Sequence, residues 1–178
     1  MKMMKKLMAV ALAGVMALTL LAGCGSMIEE KEIVACLSDA YKGWTGKSIS
    51  MTAASSDEAV KAASTLKEFQ AEHPEETIES MLGSDGTAFN VLRAALKADN
   101  ETDGIVVSYA KLEEYQSKLY SERKNMVIAS ELMGNVETVY ATFNPWTAEE
   151  ATVSLTVEKF GDDNYVIAVV RLKEPAGD

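Results

Sequence analysis

An α+β fold is predicted, with N-terminal helices packed on a C-terminal antiparallel sheet that ends in a β-hairpin. Three observations carry it. Apolar residues recur at helical intervals from residue 28 to about residue 98. Extended segments dominate after about residue 126. The last two of them flank Gly161-Asp162-Asp163-Asn164, a turn between strand-patterned runs. Helices followed by strands is the order expected when helices cover one face of an antiparallel sheet.

The first helix falls over residues 28–42, where Ile33, Val34, Leu37 and Tyr41 stand at i, i+1, i+4 and i+8, with Gly43 as its stop. Ser55 with Glu58 three residues on has the form of a capping box. It would open a helix whose face is Ala59, Ala62, Ala63, Leu66 and Phe69. Pro74 suits the first position of the next helix, and Glu75 and Glu76 favour its dipole. Ile78, Met81 and Leu82 form its apolar face, and Gly83 ends it ahead of the Gly83-Ser84-Asp85-Gly86 turn. Phe89, Leu92 and Leu96 mark another helix, to about Ala98.

Beyond the Asp103-Gly104 turn, Ile105 to Tyr109 is a β-branched run, and Leu112, Tyr115 and Leu119 restore helical spacing to about Ser121. Met126–Leu132 and Val136–Phe143 flank Gly134-Asn135 and read as a hairpin. Met126, Ser130 and Met133 also keep a helical period, so the first segment can instead prolong the preceding helix. Ala151, Val153, Leu155 and Val157 alternate with Thr152, Ser154, Thr156 and Glu158, the pattern of a half-buried strand. Tyr165 to Val170 is apolar on both faces, as expected of a central strand. This order of elements is also compatible with the cone-like fold of nuclear transport factors and ketosteroid isomerases, a likeness at the level of fold alone.

Ahead of this domain, Lys2, Lys5 and Lys6 precede an uncharged apolar run from Leu7 to Leu21. That is the layout of a secretory signal. The run is shorter than the roughly 20 residues a helix needs to cross a bilayer. Leu21-Ala22-Gly23-Cys24 resembles the lipobox of bacterial lipoproteins. The resemblance implies a diacylglyceryl group on the Cys24 sulfur and cleavage just before it. Two acyl chains anchor a protein stably where one does so only marginally. The expected organisation is therefore signal peptide 1–23, lipidated cysteine and short tether 24–27, and a single domain over 28–178. The expected location is the extracytoplasmic face of the cell membrane.

Removal of residues 1–23 leaves 14 basic against 27 acidic residues, a formal charge of −13. Such a body is repelled by phosphate backbones and anionic lipid heads, which argues against nucleic acid as a partner. Membrane attachment then depends on the lipid. With Cys24 acylated, Cys36 has no intramolecular disulfide partner, so the fold must rest on its core. Ile33, Val34 and Leu37 around Cys36 suggest a small buried residue.

Few residues suggest chemistry. Gly46-Lys47-Ser48 lacks the first glycine of a phosphate-binding loop, since Tyr41 occupies that position. Asp99, Glu101, Asp103 and Gly104 imitate positions 1, 3, 5 and 6 of a calcium loop, but Ala110 stands where its bidentate glutamate belongs. They remain candidates for a weak cation site. Asn100-Glu101-Thr102 matches a glycosylation sequon, a coincidence behind a bacterial export signal. His73 is the only histidine, which excludes a multi-histidine zinc centre. A Ser-His-Asp hydrolase would need it as base, and no Gly-x-Ser-x-Gly accompanies it. A Cys36–His73 pair is formally available. Carboxylate pairs at Glu75/Glu76, Glu149/Glu150 and Asp162/Asp163 are of the solvated kind.

Asn144-Pro145-Trp146-Thr147 places a large aromatic in a loop between strands, and Trp44 sits between Gly43 and Gly46 with Tyr41 as a neighbour. An exposed tryptophan stacks on a ligand or anchors a partner. Trp44 and Trp146 are therefore the candidate binding residues. The expectation is a non-catalytic binding or protein-interaction module at the cell envelope, without a cofactor, whose partner is a small ligand or another envelope protein. The alternatives are an extracytoplasmic enzyme with a carboxylate pocket between helices and sheet, or a passive assembly component of a membrane complex.

Overall fold

The computed structural model describes residues 28–83, 86–97, 104–112 and 123–175. The signal segment, Cys24, the sequon at residues 100–102, the candidate cation ligands Asp99, Glu101 and Asp103, and the expected helix beyond Leu112 lie outside them. The elements in order are α1 (Glu30–Thr45), β1 (Ser50–Ala53), α2 (Asp57–Glu72), α3 (Ile78–Leu82), α4 (Phe89–Ala95), β2 (Gly104–Leu112), α5 (Lys124–Gly134), β3 (Glu137–Tyr140), β4 (Glu150–Phe160) and β5 (Asp163–Leu172). A 3-10 turn, Pro145–Thr147, joins β3 to β4.

The architecture is α+β around a five-stranded mixed sheet in the order β1-β4-β5-β2-β3. β4 and β5 form the expected hairpin. Phe160 pairs with Asp163 across a two-residue turn, in which Gly161 takes φ +61°, a backbone region costly for other residues. β5 is the central strand, and Tyr165 to Val170 is buried throughout. The departure from a purely antiparallel sheet is β1, which lies parallel to β4 at the edge. Its four residues are mostly exposed and short of apolar side chains, so they carry no strand signature.

Helices cover both faces of the sheet, not one. On the first face α1 and α5 bury Ile33, Leu37, Ile128 and Leu132 against Val106, Val153, Val166 and Val170. On the second, α2, α3 and α4 bury Leu66, Met81 and Leu92 against Ile105, Val107, Ile167 and Val169. Successive residues of a strand face opposite ways, so β2 and β5 supply both cores from alternate positions. Every residue of either core lies between Ile33 and Leu172. Among the described residues both cores therefore lie within the part of the chain that begins at Gly25.

Several local expectations change. α1 buries the expected Ile33, Val34, Leu37 and Tyr41, but it runs through Gly43 and stops at Gly46, whose φ of 72° closes it. Pro74 does not start a helix. It is the second residue of a turn closed by Glu76 N–H donating to the His73 carbonyl at 3.0 Å, a position its fixed φ suits. The helix opens instead at Thr77, whose hydroxyl and that of Ser80 form a reciprocal capping box. Met126–Leu132 is not a strand. It belongs to α5, where Ile128, Ala129, Leu132 and Met133 form the buried stripe.

β4 is not half-buried either, because α2 covers its second face and encloses Ser154 and Thr156. Ser154 does there what the expected Ser55 box does not. Its hydroxyl accepts from Ala59 N–H at 3.1 Å and donates to the Ser55 carbonyl at 2.6 Å. A strand side chain thereby satisfies one of the free amides in the first turn of α2.

Candidate functional site

The first face of the sheet is incompletely filled. Between α1, α5 and the strands lies a cavity of about 40 Å³, opening into a hollow of about 530 Å³ of atom-free space that includes open solvent. Its floor is sheet. Ser108 pairs with Ala168, and Val106 pairs with Val170 on one side and Thr138 on the other. Leu37 and Tyr41 of α1 and Leu132 and Met133 of α5 form the walls, and Pro145 and Trp146 cap it.

No charged side chain lines this space among the described residues. Ser108, buried at the base, donates to the Leu132 carbonyl at 2.5 Å. No buried side-chain nitrogen or oxygen among the described residues lacks a partner. Nothing polar in the base is left to be satisfied, so the site suits an apolar occupant.

Trp146 is 41% exposed at the rim. Asn144 caps its 3-10 turn, accepting the Trp146 N–H at 3.1 Å. The Tyr41 hydroxyl donates to the Trp146 carbonyl at 2.9 Å, and the two rings stack with centroids 6.0 Å apart. Burial raises the Tyr41 pKa above the ordinary 10, keeping the hydroxyl a donor through neutral pH. The expected neighbour of Trp44 is thus the partner of Trp146. Trp44, 65% exposed near the end of α1, does not line the cavity.

The remaining candidates are not brought together. Cys36 on α1 packs against the first core while Phe69 and His73 of α2 lie on the second side, so the sheet separates thiol from imidazole. Burial raises the Cys36 pKa, with Asp39 and Glu32 adding to it, which favours the protonated thiol over the nucleophilic thiolate. His73 is exposed, ends α2 by donating its N–H to the Phe69 carbonyl, and rests on the Phe69 ring at 4.4 Å. Gly46, Lys47 and Ser48 form an exposed loop between α1 and β1. The described residues contain no cluster of His, Cys, Asp or Glu suited to a metal.

Of the cavity's residues only Trp146 was a candidate in the sequence, with Tyr41 expected beside Trp44 instead. Met51, Val106, Ser108 and Ala168 read as ordinary strand or loop residues and become neighbours only through the sheet register. Among the described residues no helix is long and apolar enough to cross a membrane. No protein-family model, curated protein or solved structure matches this chain.

Proposed function

We propose that the protein is an exported, lipid-anchored and non-catalytic binding module of the cell envelope. In this reading a diacylglyceryl group on Cys24 holds the domain at the extracytoplasmic face of the membrane. A small ligand, or the side chain of another envelope protein, enters the hollow under Trp146. The observation that carries binding is that hollow, an apolar recess with a half-exposed tryptophan at its rim. Anchoring is supported by the Leu-Ala-Gly-Cys motif behind a short apolar run.

A carboxylate enzyme would need acidic groups converging on a pocket, and the described lining holds none. The described carboxylate whose pKa is raised, Glu29, stands exposed at the start of α1, where the Glu32 side chain hydrogen-bonds it and repels its charge. That is a surface pair away from the cavity.

Two experiments test the reading. Metabolic labelling with a fatty-acid analogue should mark the wild type and not Cys24→Ala; label persisting in the variant would refute acylation at that residue. For the pocket, xenon dissolved in a sample of the chain from Gly25 onward should shift the methyl resonances of Leu37, Val106 and Leu132. Unmoved methyls would end the claim that the recess takes an occupant.

A further inference from the structure

The recess restricts what can enter it, and we infer that it receives the end of an unbranched, uncharged alkyl chain, gated by Trp146 and Tyr41. This rests on the recess being the binding site proposed above.

Size is the first argument. An engineered apolar cavity of about 150 Å³ takes benzene, whereas the space here is about 40 Å³. A ring does not fit without moving the sheet, while a chain end does. The walls favour the same occupant. Met51 and Met133 border the space, and the unbranched methionine side chain re-packs readily around an irregular guest. A slender chain can therefore lengthen its own slot between them.

Polarity is the second. The hydroxyls of Ser108 and Tyr41 are committed to the Leu132 and Trp146 carbonyls, so the base offers no site for a head group. At the rim stands Thr138, exposed and carrying a hydroxyl. No lysine or arginine faces the space among the described residues, and the body carries a formal −13 once residues 1–23 are removed. An anionic head is repelled. The ligand is a neutral amphiphile with a hydroxylic head at the rim and its chain inside.

The gate follows from local structure. Trp146 sits on a three-residue turn, and the long-range bond holding its backbone is that from Tyr41. Releasing that bond and the stacked Tyr41 ring lets the turn lift and widens the mouth of the slot.

The test uses the chain from Gly25 onward with Trp44→Phe, so that emission reports Trp146 alone. Titration with 1-decanol should shift that emission saturably. Decanoate and toluene should bind at least about ten-fold more weakly. Ala168→Leu, which fills the floor, should weaken decanol by about ten-fold or more. Val136→Phe does the same from a half-buried rim position and keeps the test open if Ala168→Leu fails to fold. Vesicles of phosphatidylcholine form a second arm. A response to decanol alone identifies a free amphiphile as the source of the chain, and a response to both identifies a bilayer lipid. No saturable response to decanol, an undiminished response in the filled variants, or toluene binding as tightly would overturn the inference. If xenon still occupies the cavity while decanol does not bind, the chain assignment falls and the binding-site reading stands. If neither enters, both fall.

Discussion

On the α2 side of the sheet, each helix is tied to a strand by a polar side chain. Ser154 of β4 holds the start of α2. Arg171 of β5 grips Glu58 of α2 through Nε and Nη2 at 2.6–2.8 Å and reaches the Leu96 carbonyl at the end of α4. Lys67 meets Glu158 at 2.5 Å, and Tyr165 donates to Glu79 of α3 at 3.2 Å. On the other side α5 is likewise tied to β2, by Ser108 donating to the Leu132 carbonyl and Asn135 donating to that of Tyr109, but the bonds of α1 run to its neighbour and to loops: Glu32 accepts from Asn125 of α5, Ser38 donates to the Ile49 carbonyl, and Tyr41 donates to that of Trp146. Directional bonds fix a helix in one place over its strands. Apolar packing, which alone holds α1 over the strands, fixes it less sharply and here leaves a void. One face is built to hold the fold, and the other has room for a guest.

The largest expected contrast is between two fully buried leucines. Leu66 on α2 is enclosed on all sides, whereas Leu132 on α5 borders the cavity. Leu66→Ala should cost about 4 kcal/mol, near the upper part of the range for such truncations. Leu132→Ala should cost less, about 2.5 kcal/mol, because a side chain beside a void has fewer contacts to lose. Urea midpoints at constant m-value decide it. Equal losses would mean that the two faces are packed alike.

Next comes the ion pair. Arg171→Met keeps the apolar stem over the sheet but strands Glu58 and frees the Leu96 carbonyl. The Arg171 side chain is 16% exposed, but Glu58 is 35% exposed and can recover hydration. The cost should therefore be about 2 kcal/mol, below that of breaking a fully buried pair. Tyr41→Phe, the corresponding loss on the open face, should cost about 1 kcal/mol and should raise the on-rate of a pocket ligand. A slower on-rate would mean that the Tyr41 bond does not gate the recess.

The same contrast explains what the residues disclosed in advance. The buried stripes of α1, α2 and α3 were legible because helical spacing is local, and so was the β4–β5 hairpin. Ser154 was not. On a strand of alternating polarity it reads as solvent-facing, and its burial depends on a helix whose first turn lies 95 residues away in the chain. β1 was missed because four mostly exposed residues without an apolar run gain their partner only from β4. The cavity was legible in one residue, Trp146, as a large aromatic in a turn. Its floor is set by register between β2, β3 and β5, which no single stretch encodes. Trp44 gave the same local signal and stands apart from the cavity, so aromatic content alone does not locate a site.

The smallest expected effect separates the faces by alkaline titration. Tyr41, on the open face, has its pKa raised by burial. Tyr165, on the tied face, is raised by burial first and then by the charge and hydrogen bond of Glu79. A raised folded-state pKa means that the folded chain keeps its proton while the unfolded chain loses it. Each tyrosine's contribution is then full below the ordinary value of 10 and is lost as pH rises beyond it toward the folded value. Tm should accordingly be level from pH 8 to near 10 with respect to these groups and fall above it. Tyr165→Phe should flatten that alkaline fall without changing the emission of Trp146. Tyr41→Phe should flatten it too, and should remove an alkaline change in Trp146 emission that the wild type shows. An emission change surviving in Tyr41→Phe would detach the gate from the tyrosine. A Tm that rises above pH 10 relative to both variants would reverse the sign of the argument.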